Sequence, residues 1–269
     1  MMVRRDDSMK FFSHRLPFFT GLFGGSFSGL MGVGGGVVLV PLLSGVLKMD
    51  QHTAQGTSLI IVIFASATGL ITYAFAGDVM WTFVGVLLCG SLAGAYLGAR
   101  VVQHFPEDIL RFIFGLFLVI LAARLLIWSN LDPIVESSGL VEIILGVAIG
   151  FVGGIAAGIL GIGGGAVFVP ALVIVIGLAQ HQAQGTSLGA VLATSAVGAF
   201  VYRRAGRSDM ASARWIALAA APAGVAGALL AGLLSAEVLQ RVFAIVILIV
   251  GLQRTLVASG LFGKLRDFR

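Results

Sequence analysis

Two polar runs interrupt an otherwise apolar chain. The first is Gln51-His52-Thr53-Ala54-Gln55-Gly56-Thr57-Ser58, and the second is Gln180-His181-Gln182-Ala183-Gln184-Gly185-Thr186-Ser187. Their amides and hydroxyls donate hydrogen bonds without carrying charge. Inside an apolar medium such groups suit a small oxyanion, and Gln55, Thr57, Ser58 and their counterparts Gln184, Thr186, Ser187 are the candidates. The bland alternative is helix capping, where polar side chains satisfy the first free N–H groups of a helix. It weighs most on His52 and His181, which open their runs at the membrane edge; there a proton or substrate contact is the other option. Ser66, Ser195, Tyr73 and Tyr202 follow along the same segments as weaker candidates, since serines in membrane helices often only bond across to a neighbour.

A second feature precedes each polar run. Gly32-Val33-Gly34-Gly35-Gly36 is followed by Pro41, and Gly161-Ile162-Gly163-Gly164-Gly165 by Pro170. Glycine frees the backbone and proline removes a donor, so a helix should break there. Broken helices expose N–H groups and positive dipole ends near the bilayer midplane, which attract anions. Gly34, Gly35, Gly36 and Gly163, Gly164, Gly165 are therefore further substrate-binding candidates. The competing reading is close helix packing through small residues. Packing is the better account of Gly90, Gly94, Gly98 and of Gly146, Gly150, Gly154, Gly158. Gly161 to Ala166 also fits a loose dinucleotide-binding pattern, but that pattern needs a strand before it and a soluble βαβ unit around it.

Acidic residues reinforce the anion reading. All twelve, including Asp50, Asp78, Glu107, Glu142, Asp209 and Glu237, lie at or near segment ends or in loops. A cation or proton carrier usually keeps a carboxylate at membrane depth. Arg124 and Arg254 sit near helix ends, where snorkelling to the interface is the simpler role. The one cysteine, Cys89, excludes an internal disulfide and a thiolate metal cluster. No metal or cofactor is expected. The polar groups come as matched pairs rather than as one nucleophile with its base, so no enzyme activity is expected, with an intramembrane hydrolase the remote alternative.

The elements that must position these residues are membrane helices. Of 269 residues, 58% are hydrophobic and 11% charged, against roughly 25% charged in soluble domains. The apolar runs are continuous, which suits helices and not an alternating barrel. The net charge of +5 collects at segment ends, as cytoplasmic loops collect Lys and Arg, and does not call for nucleic acid. The basic N-terminus starts like a signal peptide but lacks a small-residue cleavage site and runs into a region repeated later, so it reads as retained.

Residues 29–59, GLMGVGGGVVLVPLLSGVLKMDQHTAQGTSL, align without a gap on residues 158–188, GILGIGGGAVFVPALVIVIGLAQHQAQGTSL, at an offset of about 129 residues. The match extends to Gly21, Gly25 and Gly29 on Gly150, Gly154 and Gly158. It also extends to Tyr73 and Gly77 on Tyr202 and Gly206, and, slightly shifted, to Glu107, Arg111 and Arg124 on Glu237, Arg241 and Arg254. The expected organisation is a tail at 1–15, a first transmembrane repeat at 16–128, a polar linker at 129–139, a second repeat at 140–260 and a tail at 261–269. Segments are expected at 16–47, 54–76, 79–102 and 108–128, then at 140–178, 184–202, 213–234 and 237–259.

Segment 16–47 as one straight helix would be about 48 Å long, against a hydrocarbon core of about 30 Å. It is expected to fold into a hairpin, spanning or re-entrant. If the hairpin returns to its starting side, the halves are inverted. That model places Arg100, Arg203, Arg204, Arg207 and Arg214 inside with both termini, and the linker, which has no Lys or Arg, outside. The expected fold is thus an all-α polytopic transmembrane helical bundle of two inverted repeats, each opening with a broken or re-entrant Gly-rich helical hairpin.

The duplicated motifs, G-x-G-G-G-x-x-x-V-P and then A-x-G-T-S-L, resemble the sulfite exporter TauE/SafE family over about residues 16 to 260. The resemblance implies an inner-membrane (plasma membrane) permease for a small sulfur-containing anion such as sulfite, a sulfonate or sulfoacetate. Alternating access between repeats is the expected mechanism, and an anion channel the alternative. The expected partners are the small anion and the lipid bilayer, not nucleic acid; a homodimer is compatible.

Overall fold

The structure is a computed structural model that describes residues 6–102 and 139–258, with scattered positions between 112 and 126. Among the described residues every regular element is helical. They are α1 (Asp6–Met31), α2 (Gly36–Gly45), α3 (Gln51–Phe75), α4 (Trp81–Val101), α5 (Gly139–Leu160), α6 (Gly165–Ala171), α7 (Gln180–Arg204), α8 (Met210–Gly232) and α9 (Ala236–Ala258). Six of them, α3, α4, α5, α7, α8 and α9, are long and apolar enough to cross a membrane. Large apolar side chains such as Phe75, Trp81, Leu140, Leu218 and Leu233 stand exposed on the outside of the bundle. In water that surface would be unstable; in lipid it is the expected contact. The expectations placed on Glu107, Arg111, Arg124, the linker 129–138 and the tail 261–269 lie outside the described residues, as does the side chain of Arg254.

Each repeat opens with a long helix, a glycine turn and a short returning helix. Gly32, Gly34 and Gly35 have φ of 69°, 80° and 75°, and Gly161, Gly163 and Gly164 have 69°, 82° and 90°. Only glycine adopts this backbone cheaply, so these residues make the turn. Gly35 and Gly164 are the left-handed N-caps of α2 and α6. Pro41 and Pro170 are not the breaks. Both lie inside the returning helices, where each removes one donor, a loss that membrane helices tolerate. After Pro170 the helix widens into a single π turn, Leu172–Ile176, and ends at Gly177 with φ of 80°.

Two equivalent helix starts differ from the sequence expectation in the same way. Both α3 and α7 begin a turn early, at Gln51 and Gln180. Asp50 explains the first, because its carboxylate accepts the Thr53 N–H at 3.0 Å and caps the helix. Helix α1 likewise starts at Asp6, inside the stretch expected to be a tail.

The repeats exchange contacts. Helix α1 packs on α8, α5 packs on α4, and α3 packs on α7. Glycine makes the first two contacts possible. A Cβ at Gly25 would collide with the Ala220 backbone, and one at Gly29 with that of Gly224. Across the equivalent seam, Gly90 meets Val147, Gly94 meets Phe151, Gly154 meets Ser91 and Gly158 meets Ala95, backbone against backbone. These are the small-residue ladders expected of Gly90, Gly94, Gly98 and Gly150, Gly154, Gly158. Gly146 packs against the Val86 side chain instead.

The third contact is antiparallel. Gly69 late in α3 touches Leu188 early in α7, and Gly198 late in α7 touches Leu59 early in α3. Three arginines therefore gather at one end. Arg203 and Arg204 close α7 and Arg207 follows it, beside the start of α3, where Arg207 acts on Asp50. Asp78 and the start of α7 occupy the opposite end, where the Asp78 carbonyl lies against Gly185.

Candidate functional site

The site is built where the antiparallel pair α3 and α7 meets the two glycine turns. On α3, Gln55, Ser58, Val62 and Ser66 recur at helical spacing, so they share one face. Gln184, Ser187, Val191 and Ser195 do the same on α7. Gln55, Ser58, Ser66, Gln184, Ser187 and Ser195 are all buried. The turns are inserted against these stripes. A Cβ on Gly34 would lie 2.5 Å from Val191 Cγ1 and 2.8 Å from Val62 Cγ1. A Cβ on Gly163 would lie 2.8 Å from Ser195 Oγ and 2.9 Å from Val191 Cγ1.

The two turns also touch each other. A Cβ on Gly36 would come within 2.5 Å of the Ile162 Cα, and one on Gly165 would strike the Val33 backbone. The sequence places these runs 129 residues apart; the fold brings them into van der Waals contact. Among the described residues, the N–H groups of Gly34, Gly35 and Gly36 find no acceptor, nor do those of Gly163, Gly164 and Gly165. Four such groups at each helix start are left free by helix geometry itself.

Each glutamine stands beside the turn of the other repeat. Gly32 packs on Gln184 and Gly161 on Gln55. The Tyr73 hydroxyl lies 2.8 Å from Gln184 Oε1 and 3.1 Å from the Gly29 carbonyl oxygen. The Tyr202 hydroxyl lies 3.1 Å from both Gln55 Oε1 and the Gly158 carbonyl oxygen. Gly29 and Gly158 are near the ends of α1 and α5, where carbonyls lose their helical partners. The tyrosines thus join glutamine, glycine turn and helix end in two buried clusters, each drawing on both repeats. The sequence ranks them among the weaker candidates, although their exact repetition is visible there.

Several buried polar atoms have no partner: Gln184 Nε2 and the hydroxyls of Ser58, Ser187 and Ser195. An unmet buried donor costs about 1–3 kcal/mol, so four in one region call for an explanation. Ser66 differs from its counterpart Ser195, since it bonds back to the Val62 carbonyl at 2.6 Å. Thr57 and Thr186 have structural work. Thr57 Oγ1 accepts the Asp209 N–H at 2.9 Å, and Thr186 Oγ1 accepts the Met80 N–H at 3.0 Å. His181 Nε2 lies 3.1 Å from the Ala231 carbonyl oxygen, and His52 is half-buried in the first turn of α3. Both histidines thus stand a turn before the glutamines.

Thr194 is absent from the sequence candidates. It donates to the Gly163 carbonyl at 2.7 Å and pins the second turn. Its first-repeat counterpart is Ala65, so no repeat signal could flag it.

A family model described as "Sulfite exporter TauE/SafE" matches residues 1–130 and 145–266. The chain belongs to the TauE/SafE family. A similar relative is the "Probable membrane transporter protein YunE" of Bacillus subtilis (strain 168), 27% identical over 265 residues, covering 90% of this chain and 96% of the relative. Another is a "Probable membrane transporter protein" of Xylella fastidiosa (strain 9a5c), 30% identical over 229 residues, covering 83% and 88%. No solved structure matches the chain. With its six apolar helices, this TauE/SafE chain is a multi-pass membrane protein of a transporter family.

Proposed function

We propose that the protein is a secondary carrier of the inner (plasma) membrane for a small sulfur-containing oxyanion such as sulfite, a sulfonate or sulfoacetate. The carrying observation is the meeting of the two glycine turns at the crossing of α3 and α7. Free N–H groups and unpartnered buried hydroxyls converge there. Neutral donors in a medium of low dielectric favour an anion that needs no counter-charge. The side chains set against the turns, Gln55, Gln184, Ser195, Val62 and Val191, carry no charge.

The antiparallel run of α3 and α7 supports inverted repeats. In such an arrangement the basic end with Arg203, Arg204 and Arg207 faces the cytoplasm along with both termini. The two hairpins enter from opposite faces, and alternating access follows when one repeat rocks against the other. Among the described residues, the hydroxyls of Ser58, Ser187 and Ser195 have no base within hydrogen-bond reach, which favours transport over catalysis.

Counterflow in proteoliposomes tests this reading. Vesicles preloaded with cold sulfite or a sulfonate are expected to accumulate the labelled anion transiently above equilibrium. Equilibration without overshoot would make the protein a channel. No uptake of any sulfur oxyanion, with phosphate or carboxylates taken up instead, would overturn the substrate class.

A further inference from the structure

The Tyr73–Gln184 and Tyr202–Gln55 pairs stand at opposite ends of the α3–α7 pair. Gln184 begins α7 where Tyr73 ends α3, and Gln55 begins α3 where Tyr202 ends α7. The glycine turns and the valines Val62 and Val191 lie between them. Each pair crosses the boundary between repeats, and each also reaches the end of the long hairpin helix, at Gly29 or Gly158.

A tyrosine hydroxyl carries one proton. At Tyr73 it faces two carbonyl-type acceptors, Gln184 Oε1 at 2.8 Å and Gly29 O at 3.1 Å. It can donate to only one. If it donates to the glutamine, Nε2 remains free to donate to an anion, and this is the atom found without a partner. If it donates to the helix end, the amide gains by turning Nε2 toward the hydroxyl, and its oxygen then faces the site. The tyrosine therefore sets whether the glutamine presents a donor or an acceptor. The same choice exists at Tyr202, where both distances are 3.1 Å.

We infer that Tyr73 and Tyr202 are positioning residues that orient Gln184 and Gln55, and that each Tyr–Gln pair closes the central site at its own end of the bundle. This rests on the carrier reading above. Opening the Tyr202 pair gives access from the end with Arg203 and Arg207; opening the Tyr73 pair gives access from the end with Asp78. With both closed, the structure is occluded. An anion that draws Nε2 toward itself favours the tyrosine-to-glutamine bond and so completes the closure.

The test reads sidedness and needs no substrate. In full-length protein carrying Cys89→Ser, a reporter is introduced as Val62→Cys, and separately as Val191→Cys in case one position perturbs insertion. Each is combined with Tyr73→Phe or Tyr202→Phe in right-side-out and inside-out vesicles. A membrane-impermeant maleimide then probes each face. Tyr73→Phe is expected to raise labelling several-fold from the Asp78 end alone, and Tyr202→Phe from the arginine end alone. Unchanged labelling in both reporters, or a rise from both faces in each variant, overturns the inference; the second outcome would mean general loosening of the fold. Absence of overshoot with every anion tested would sink the carrier reading and leave the labelling result standing, so the two failures are distinguishable.

Discussion

Val62 and Val191 occupy equivalent places in the two repeats, and each lies against both Gly34 and Gly163. One side chain therefore serves two glycine turns that come from different halves of the chain. This shared contact is where the two glycine turns and the helices α3 and α7 meet. Everything polar in the candidate site is arranged on either side of it.

The glutamines bear the first prediction. Gln55→Ala and Gln184→Ala are expected to lower transport at least tenfold, with membrane insertion intact. Both amides are buried and set beside a turn. Normal uptake by both variants, with normal yield, would remove them from the site.

Thr57 and Thr186 should behave differently from the serines beside them. Their hydroxyl oxygens accept backbone N–H groups of Asp209 and Met80. Thr57→Val is expected to destabilise the protein by about 1–3 kcal/mol, because it strands a donor, and to leave KM nearly unchanged. Ser58→Ala and Ser187→Ala remove unpartnered hydroxyls, so KM should rise without loss of stability. Thermal unfolding in detergent, run beside uptake kinetics, separates the two classes.

Glycine at the helix seams gives a third test. Gly154→Leu and Gly25→Leu would drive a side chain into the Ser91 and Ala220 backbones. Loss of folded protein on size-exclusion chromatography is expected for both. Gly45→Ala meets nothing within 4 Å and should be silent. Gly77→Ala also meets nothing, but its φ of 80° predicts a cost of about 1–2 kcal/mol.

Acid stability follows from the helix caps in the loops. The Asp209 carboxylate accepts from the Ser212 hydroxyl at 2.6 Å and from the N–H groups of Ala211 and Ser212. The Ser212 bond, above all, holds its carboxyl below the usual aspartate range. The Thr53 bonds do the same for Asp50. A carboxyl lowered in the folded state stabilises above its unfolded pKa, and that stability is lost as pH falls through the folded one. Melting temperature should therefore drop as pH falls below about 4. Asp209→Asn should flatten that drop while lowering the plateau; an unchanged slope would count against the cap.

The repeat was legible in the sequence because glycines, glutamines and tyrosines recur as identical letters. The helix breaks were legible for the same reason, since a left-handed turn admits little besides glycine. Pro41 misled, because a proline looks like a break even where a short helix absorbs it. The meeting of the turns was not legible, since no local pattern encodes which surface two distant segments will share. Thr57 reads as a donor to substrate; its oxygen also accepts the Asp209 N–H, a partner that depends on how α8 starts, while its proton stays available. Thr194 was invisible, since a residue that breaks the symmetry leaves no repeated signal.

The exchanged seams have a consequence for how the chain comes to exist. Helix α1 leaves the ribosome early, with its glycine face at Gly21, Gly25 and Gly29, but the surface that fits this face, on α8, is synthesised last but one among the described helices. Neither half owns a complete interior. The glycine face of the first half is therefore expected to meet lipid until the second arrives. Two separately expressed halves should consequently be inert alone and should assemble when made together.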